Sequence, residues 1–183
     1  MTKTIYLMRH GRTRANLEKY YGSAEEPLLF EPAAFSEAKA AVAQIDPVGI
    51  AASPYLRAMQ TAAIVKPDTI ARIDEEPLLR EVSMGVLEGR RFSDAYDQYG
   101  AALDPWIDDP FSNAPPRGES LKDAMVRAEA FLQAAEEGHL YVSHDGIIRL
   151  ILCAVAGDIR RFFDISVQNL QIVPLDCNEI SKR

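Results

Sequence analysis

The sequence contains few cysteines and histidines and no long apolar run. Its 183 residues include two cysteines and three histidines. Cys153 and Cys177 lack CxxC spacing and a nearby histidine pair, so neither a disulfide framework nor a structural zinc site is predicted. The longest apolar stretch, residues 147–156, is interrupted by Arg149 and is much shorter than the roughly 20 residues that a membrane helix requires. We therefore expect no membrane helix and no resident metal.

Positive charge is also scarce. The chain has 20 Lys and Arg against 27 Asp and Glu, a net charge of −7, which argues against general binding to nucleic acid or to an anionic membrane. Hydrophobic residues at 48% and charged residues at 26% are typical of globular proteins and exclude disordered, collagen-like and coiled-coil classes. The first apolar run is broken by Arg9 and His10 and is too short for a signal peptide. A soluble cytoplasmic protein is expected, with residues 1–183 forming a single domain.

Short apolar segments alternate with helical patterns along the chain. Apolar positions three and four residues apart predict a helix over residues 120–135, with Ser120 and Asp123 as a capping box and Gly138 as a stop. Residues 105–118, rich in proline, predict an irregular segment that could serve as a lid. Segments of strand length occur at residues 4–8, 48–52, 69–73, 140–143 and 170–173. This alternation predicts an α/β fold, a sandwich of helices around a mainly parallel sheet, with the last strand at an edge.

Polar side chains follow three of these predicted strands. The first strand delivers Arg9 and His10, the second delivers Arg57, and the fourth delivers His144. Ligands of parallel α/β sheets bind beyond the carboxyl ends of the strands. Arginine forks match phosphate oxygens, and His144 precedes a helix whose N-terminus favours an anion.

His10 has the chemistry of a nucleophile. A neutral imidazole can attack phosphorus, and the neighbouring Gly11 would let the backbone approach a ligand closely. Taken singly, these histidines and arginines would more often have a structural or surface role. Together they favour a phosphate site.

Six segments form an ordered set of motifs between residues 4 and 149. They are RHGRT at 9–13 followed by Asn16, Gly22 with Pro27-Leu28, SPYLRAMQTA at 53–62, LREVSMGVLEG at 79–89, PRGES at 116–120 and SHDG at 143–146. This set resembles the histidine phosphatase superfamily, which contains the cofactor-dependent phosphoglycerate mutases. The resemblance implies a phosphoglycerate mutase-like, three-layer α/β/α sandwich.

The resemblance also implies a reaction. It implies a metal-independent phosphatase without a cofactor, in which His10 forms a phosphohistidine, Glu81 is the general acid and base, and Arg9, Arg57 and His144 complete the catalytic set. The implied partner is a small phosphorylated metabolite. The positions implied to bind phosphate and substrate are Arg9, Gly11, Asn16, Arg57, His144, Asp145 and Gly146.

The sequence departs from the family pattern at three positions. Residue 12 is Arg where the family usually has Glu or Gln, Tyr21 replaces a common Gln, and Asp145 replaces the first glycine of S-H-G-G. Asp145 could raise the pKa of His144 and keep it cationic, or it could cap the following helix, which is the favoured interpretation. Arg12 and Arg14 could contact the distal part of an anionic substrate or be solvated.

Several functions fit these residues. A mutase must shield its intermediate from water, yet the chain is short and residues 89–118 contain only Arg90, Arg91 and Arg117 as cations, so hydrolysis is favoured and the mutase is the alternative. Retention of Glu81 argues against a non-catalytic phospho-ligand-binding domain. A metal-dependent hydrolase is disfavoured because the histidines lack ligand spacing. Substrate identity and oligomeric state stay open.

Overall fold

A computed structural model describes residues 4–176, which contain one sheet with helices on both faces. Its strands are β1 (Thr4–Arg9), β2 (Gly49–Ala52), β3 (Asp74–Glu75), β4 (His139–Ser143) and β5 (Ile172–Asp176). Their order is β3-β2-β4-β1-β5. The β1–β4, β2–β4 and β2–β3 pairs are parallel, whereas β5 lies antiparallel to β1 at one edge. The predicted mainly parallel sheet is therefore confirmed.

The helices form a layer on each face of the sheet. Ile5 and Leu7 of β1 pack against helices α6 (Leu121–Ala134) and α7 (Asp145–Ala156), whereas Met8 packs on the opposite face against helices α2 (Pro32–Ile45) and α3 (Leu56–Val65). This division follows the two-residue period of strand side chains, and it confirms the three-layer sandwich. The helices of the described chain are α1 (Arg14–Glu18), α2 (Pro32–Ile45), α3 (Leu56–Val65), α4 (Phe92–Tyr99), α5 (Asp104–Asp108), α6 (Leu121–Ala134) and α7 (Asp145–Ala156).

Helix α6 begins as its sequence predicts. The Ser120 hydroxyl accepts a hydrogen bond from the Asp123 backbone, and the Asp123 carboxylate accepts one from the Ser120 backbone. This reciprocal cap satisfies two amide groups that a helix leaves unpaired. The helix ends before Gly138, which has a φ of +72° and serves the turn into β4.

Two predicted strands are displaced. Residues 69–73 contain no strand, because the chain turns at Ile70, whose amide donates to the carbonyl of Pro67 at 3.1 Å, and the strand is at 74–75. Leu170 has a φ of +62°, which a strand does not allow, so β5 begins at Ile172. Cys177 lies outside the described residues, and Cys153 is a buried free thiol.

The predicted irregular segment is partly helical. Helix α5 covers its first residues, and turns without another helix or strand follow as far as Gly118. Leu87, Ala95 and Leu103 form a small separate core that supports this part of the chain beside the sheet.

Candidate active site

The carboxyl ends of β1, β2 and β4 meet at a cavity of about 360 Å³. Nine predicted site residues come from five segments of the sequence, and the fold brings them to this edge of the sheet. Seven of them line the cavity, namely Arg9, His10, Asn16, Arg57, Glu81, Asp145 and Gly146. The His144 ring lies beside that of His10, with a centroid separation of 5.1 Å.

His10 is buried and held from both ring nitrogens. Its Nδ1 lies 2.6 Å from the carbonyl oxygen of Gly11, and Arg57 Nε donates to its Nε2 at 3.2 Å. Because Nδ1 faces an acceptor and Nε2 faces a donor, the hydrogen bonds assign the proton to Nδ1. Burial and the charge of Arg57 lower the pKa of His10 from 6.5 to about 3. At neutral pH, Nε2 therefore carries a lone pair beside a guanidinium group.

His144 is fully buried at the N-cap of α7. Its Nε2 lies 2.8 Å from Ser53 Oγ, while its Nδ1 has no partner. Burial, followed by the charge of Arg57, lowers the pKa of His144 well below its usual value. The expectation that Asp145 keeps this histidine cationic is therefore wrong, since burial and nearby positive charges outweigh one partly exposed carboxylate.

Asp145 is the first residue of α7, so its predicted role as N-cap is also wrong. The helix begins one residue earlier than expected. The Asp145 carboxylate instead lies between two arginines, 3.7 Å from Arg9 Nη1 and 3.2 Å from Arg149 Nη1. It therefore holds cationic side chains at the edge of the cavity.

Two buried nitrogen atoms in the phosphate-site region lack hydrogen-bond partners. Arg9 donates through Nη1 to the Val167 carbonyl at 2.6 Å, but its Nε is unpaired. Arg9 Nε and His144 Nδ1 are the only buried side-chain nitrogen or oxygen atoms within residues 4–176 that have no hydrogen-bond partner. A buried unsatisfied polar group costs about 1–3 kcal/mol. Both lie on residues adjacent to His10 in space, so an anion there could satisfy them.

The Glu81 side chain contacts the N-terminus of α7. Its carboxyl oxygens accept hydrogen bonds from the backbone amides of Gly146 and Ile147, each at 3.2 Å. Burial raises the pKa of Glu81, although hydrogen bonds from the Val82 and Gly146 amides and the charge of Arg57 act in the opposite direction. A Cβ atom on Gly146 would lie 2.6 Å from Glu81 Oε1, so this close approach requires glycine.

Gly11 and Asn16 have local roles that the sequence did not predict. A Cβ on Gly11 would lie 2.7 Å from Phe35 Cζ, so packing against α2 accounts for this glycine, and it does not line the cavity. The side-chain oxygen of Asn16 caps α1 through the Thr13 amide at 3.1 Å. It also accepts from Asn169 Nδ2 at 3.3 Å.

Arg12 and Arg14 do not line this cavity. Arg12 pairs with Glu31 at 3.2 Å, and Arg14 pairs with Glu18 at 2.8 Å on an exposed helix face. Solvation therefore describes them better than substrate contact.

Two further residues support the site. Asn169 donates to the His10 carbonyl at 2.9 Å. Arg127 of α6 forms a bidentate pair with Glu119 and donates to the carbonyls of residues 78, 80 and 81. Arg127 thereby ties the segment that carries Glu81 to α6. Both residues act on backbone oxygens, for which the sequence has no spacing signal.

The described residues lack the features of a metal centre and of a membrane-spanning helix. Within residues 4–176, no His, Cys, Asp and Glu side chains cluster in a group of three or more suited to a metal ion. No helix in the same part of the chain has the length and hydropathy needed to span a membrane.

Comparison with known proteins places this geometry among related chains. A family model described as "Histidine phosphatase superfamily (branch 1)" matches residues 5–183. "Putative phosphoserine phosphatase 2" of Hydrogenobacter thermophilus is 26% identical over 95% of this chain and 85% of its own length. "Probable phosphoglycerate mutase GpmB" of Enterobacter sp. (strain 638) is 30% identical over 84% of this chain and 74% of its own. The crystal structure of the alpha-ribazole phosphatase from Shigella flexneri has the same fold, with a TM-score of 0.81, 24% identity, and coverage of 94% of this chain and 90% of that one.

Proposed function

The chain belongs to the histidine phosphatase superfamily, and we propose that it hydrolyses a small phosphomonoester through a phosphohistidine on His10. We further propose that residues 1–183 act as one catalytic domain. The observation that carries the proposal is the neutral His10 in a region that also holds two buried nitrogen atoms without partners, Arg9 Nε and His144 Nδ1. With the proton of neutral His144 on Nδ1, a phosphoryl group at Nε2 of His10 has oxygens for both nitrogens to bind.

In the first step, Nε2 of His10 attacks phosphorus and the bond from phosphorus to the ester oxygen breaks. Glu81 donates its proton to that leaving oxygen, and its raised pKa keeps the proton available. The incoming phosphoryl group takes the place of Arg57 at Nε2, and the guanidinium then donates to a phosphoryl oxygen. Arg9 and His144 bind the other oxygens. Loss of one such preorganised donor typically raises the activation free energy by about 3–4 kcal/mol.

In the second step, water attacks the phosphohistidine. The Glu81 carboxylate removes a proton from this water, the bond between phosphorus and Nε2 breaks, and inorganic phosphate leaves. The electron pair returns to His10, and Glu81 is again protonated. The site is thereby regenerated without a second substrate.

Hydrolysis is favoured over mutase transfer by the charge distribution around the cavity. Arg90, Arg91 and Arg117, the cations of residues 89–118, are exposed and do not line it. A bisphosphorylated acid would need cations beyond the first phosphate site. Transfer between phosphoglycerates is therefore the alternative that the experiment must separate.

The test compares the wild type with His10→Asn, and with His139→Asn as the matched control at the start of β4. With 4-nitrophenyl phosphate in excess chelator, wild type and His139→Asn should release phosphate at similar rates. The rate of phosphate release by His10→Asn should be lower by at least about a hundredfold. Activity that requires an added divalent metal would contradict the mechanism. Interconversion of phosphoglycerates that depends on a bisphosphate, with little free phosphate, would establish the mutase instead.

A further inference from the structure

Beyond the proposed phosphate site, the cavity continues along a wall of large apolar and aromatic side chains. These side chains come from separate segments: Tyr21 after α1, Met84 after the Glu81 segment, Trp106 in α5, and Phe162 and Phe163 after α7. The sequence motifs do not account for Trp106, Phe162 or Phe163. The wall therefore has a role that the proposed phosphate chemistry does not explain.

The wall is built by packing. Trp106, Met84 and Tyr21 pack together on the small core of Leu87, Ala95 and Leu103. In a second part of the wall, the Phe162 and Phe163 rings meet edge to face with a centroid separation of 5.1 Å. Each half of the wall is thus held by its own neighbours.

Two contacts fix the Phe162 and Phe163 half more firmly. The Arg149 guanidinium lies 4.3 Å from the centroid of the Phe162 ring and donates to the Phe162 carbonyl at 2.9 Å. Phe111 packs edge to face on Phe163 at 5.7 Å. Phe163 nevertheless keeps 59% of its surface exposed, so one aromatic face at the cavity is available to a ligand.

Charge around the outer cavity disfavours a second anion. The lining side chains of the described chain include no lysine, and their cations are Arg9, Arg57 and Arg149. Arg149 is already paired with Asp145. Glu88, whose carboxylate accepts from the Ser83 hydroxyl and the Met84 amide, adds a negative charge to the lining.

Resting on the proposed function, we propose that the substrate is the phosphomonoester of an uncharged alcohol bearing an aromatic group, which stacks on Trp106 and Phe163. An aromatic pair contributes beyond its buried area, whereas a carboxylate or second phosphate would meet Glu88 without a free cation. Substrates with a second anionic group are therefore disfavoured at this site.

The first experiment uses three primary alkyl esters, so that the leaving oxygen is alike: 2-phenylethyl phosphate, ethyl phosphate and 3-phosphoglycerate. For the wild type, kcat/KM should be about tenfold or more higher for 2-phenylethyl phosphate than for either other ester, mainly through a lower KM. Trp106→Ala and Phe163→Ala should each reduce the ratio of phenylethyl to ethyl ester several-fold, with partial recovery in Trp106→Phe. Phe30→Ala, which removes an equally exposed ring outside the cavity, should keep the wild-type ratio.

The second experiment measures binding without turnover. Trp106 is the only tryptophan of the chain, so its fluorescence reports on the wall. In His10→Asn, 2-phenylethyl phosphate should change this fluorescence and saturate at about tenfold lower concentration than ethyl phosphate. Equal saturation would overturn the inference.

The outcomes separate this inference from the proposed function. Equal hydrolysis of all three esters, or an aromatic preference that survives both alanine variants, would overturn the aromatic site and leave the phosphatase standing. Absence of hydrolysis of every ester, with tryptophan fluorescence still selective for the aromatic ester, would overturn the phosphatase and leave the aromatic site standing.

Discussion

At His10, the burial that excludes water also sets the protonation state needed for attack on phosphorus. With a pKa of about 3, the imidazole is neutral throughout the pH range in which most enzymes are assayed. Glu81 is shifted in the opposite direction, since burial raises its pKa. Burial thus keeps the nucleophile neutral and favours the protonated form of the acid, the two states that the proposed first step requires.

These shifts predict the pH dependence of kcat/KM for ethyl phosphate, an ester with a poor leaving group. Because His10 loses its proton near pH 3, no acid limb attributable to it should occur near pH 6.5. As pH rises through the raised pKa of Glu81, the general acid is deprotonated and the rate should fall. Glu81→Gln should remove this alkaline limb and slow the hydrolysis of ethyl phosphate by about a hundredfold or more. The hydrolysis of 4-nitrophenyl phosphate should slow less, because its leaving group needs less help from a general acid.

A pH–rate profile of both esters for wild type and Glu81→Gln checks this. Equal slowing of the two esters, or an alkaline limb that persists in the variant, would contradict the role of Glu81 as a general acid.

At the scale of elements, α6 positions the Glu81 segment through Arg127. The Arg127 side chain is only 14% exposed, and its charge is paired with Glu119 at 2.8 Å. Removing it leaves a half-buried carboxylate and three carbonyl oxygens without their donor. The element that supplies the proposed acid is therefore held by a helix that contributes nothing to the cavity's chemistry.

Arg127→Met should lower the free energy of unfolding by about 2–4 kcal/mol, since it breaks a largely buried ion pair and its hydrogen bonds. Arg160→Met is the matched control, because Arg160 pairs with Asp158 on the surface with 84% of its side chain exposed. That variant should have a free energy of unfolding close to that of the wild type, because a solvated ion pair contributes little to stability. Urea unfolding measures the free energy of unfolding of both variants. Equal decreases in this free energy would refute the structural role of Arg127.

Some helices and strands could be predicted from the sequence, and others could not. Buried runs at β1, β2 and β4, and the cap of α6, are local signals, and they agree with the structure. Ile70 and Ile73 produce the same apolar signal as a strand, but they pack on the α2–α3 side without pairing. The turn at Leu170 depends on its amide donating to the Arg9 carbonyl at 2.9 Å, a contact that exists only once β1 is in place.

Part of the candidate site could likewise be predicted from the sequence, and part of it could not. The motifs include seven predicted site residues that line the cavity, and the catalytic roles of the predicted residues stay predictions. The alternative that Asp145 keeps His144 cationic is wrong, because the pKa of His144 depends on burial and on Arg57, which is distant in sequence. Asn169 and Arg127 could not be predicted, since they bind backbone oxygens.

At the scale of the whole molecule, the proposed site places three arginines, Arg9, Arg57 and Arg149, in a cavity of a chain with a net charge of −7. It contains two fully or nearly fully buried histidines, His10 and His144. Both have pKa values below that of an unfolded chain, so unfolding takes up protons in mildly acidic solution. The site should therefore weaken the fold as pH falls.

Between about pH 3 and 6.5, His10 is neutral in the folded protein and protonated in the unfolded chain. The free energy of unfolding should rise with pH in this window by about 1.4 kcal/mol per pH unit for this histidine. His10→Asn should reduce the slope by about that amount, whereas Phe30→Ala, which removes no titratable group, should keep it. The opposite contribution of Glu81 is common to these proteins and cancels in the comparison.

Urea unfolding at several pH values between 4.5 and 6.5 measures these slopes. An unchanged slope in His10→Asn would show that His10 does not titrate as its burial requires.

The covalent intermediate itself is the most direct test. Protein mixed with a ³²P-labelled phosphomonoester and quenched in alkali should carry acid-labile phosphate on Nε2 of His10, located by mass spectrometry of the labelled peptide. The label should be present in His139→Asn and absent from His10→Asn. Turnover without any label on His10, or label that persists in His10→Asn, would contradict the account.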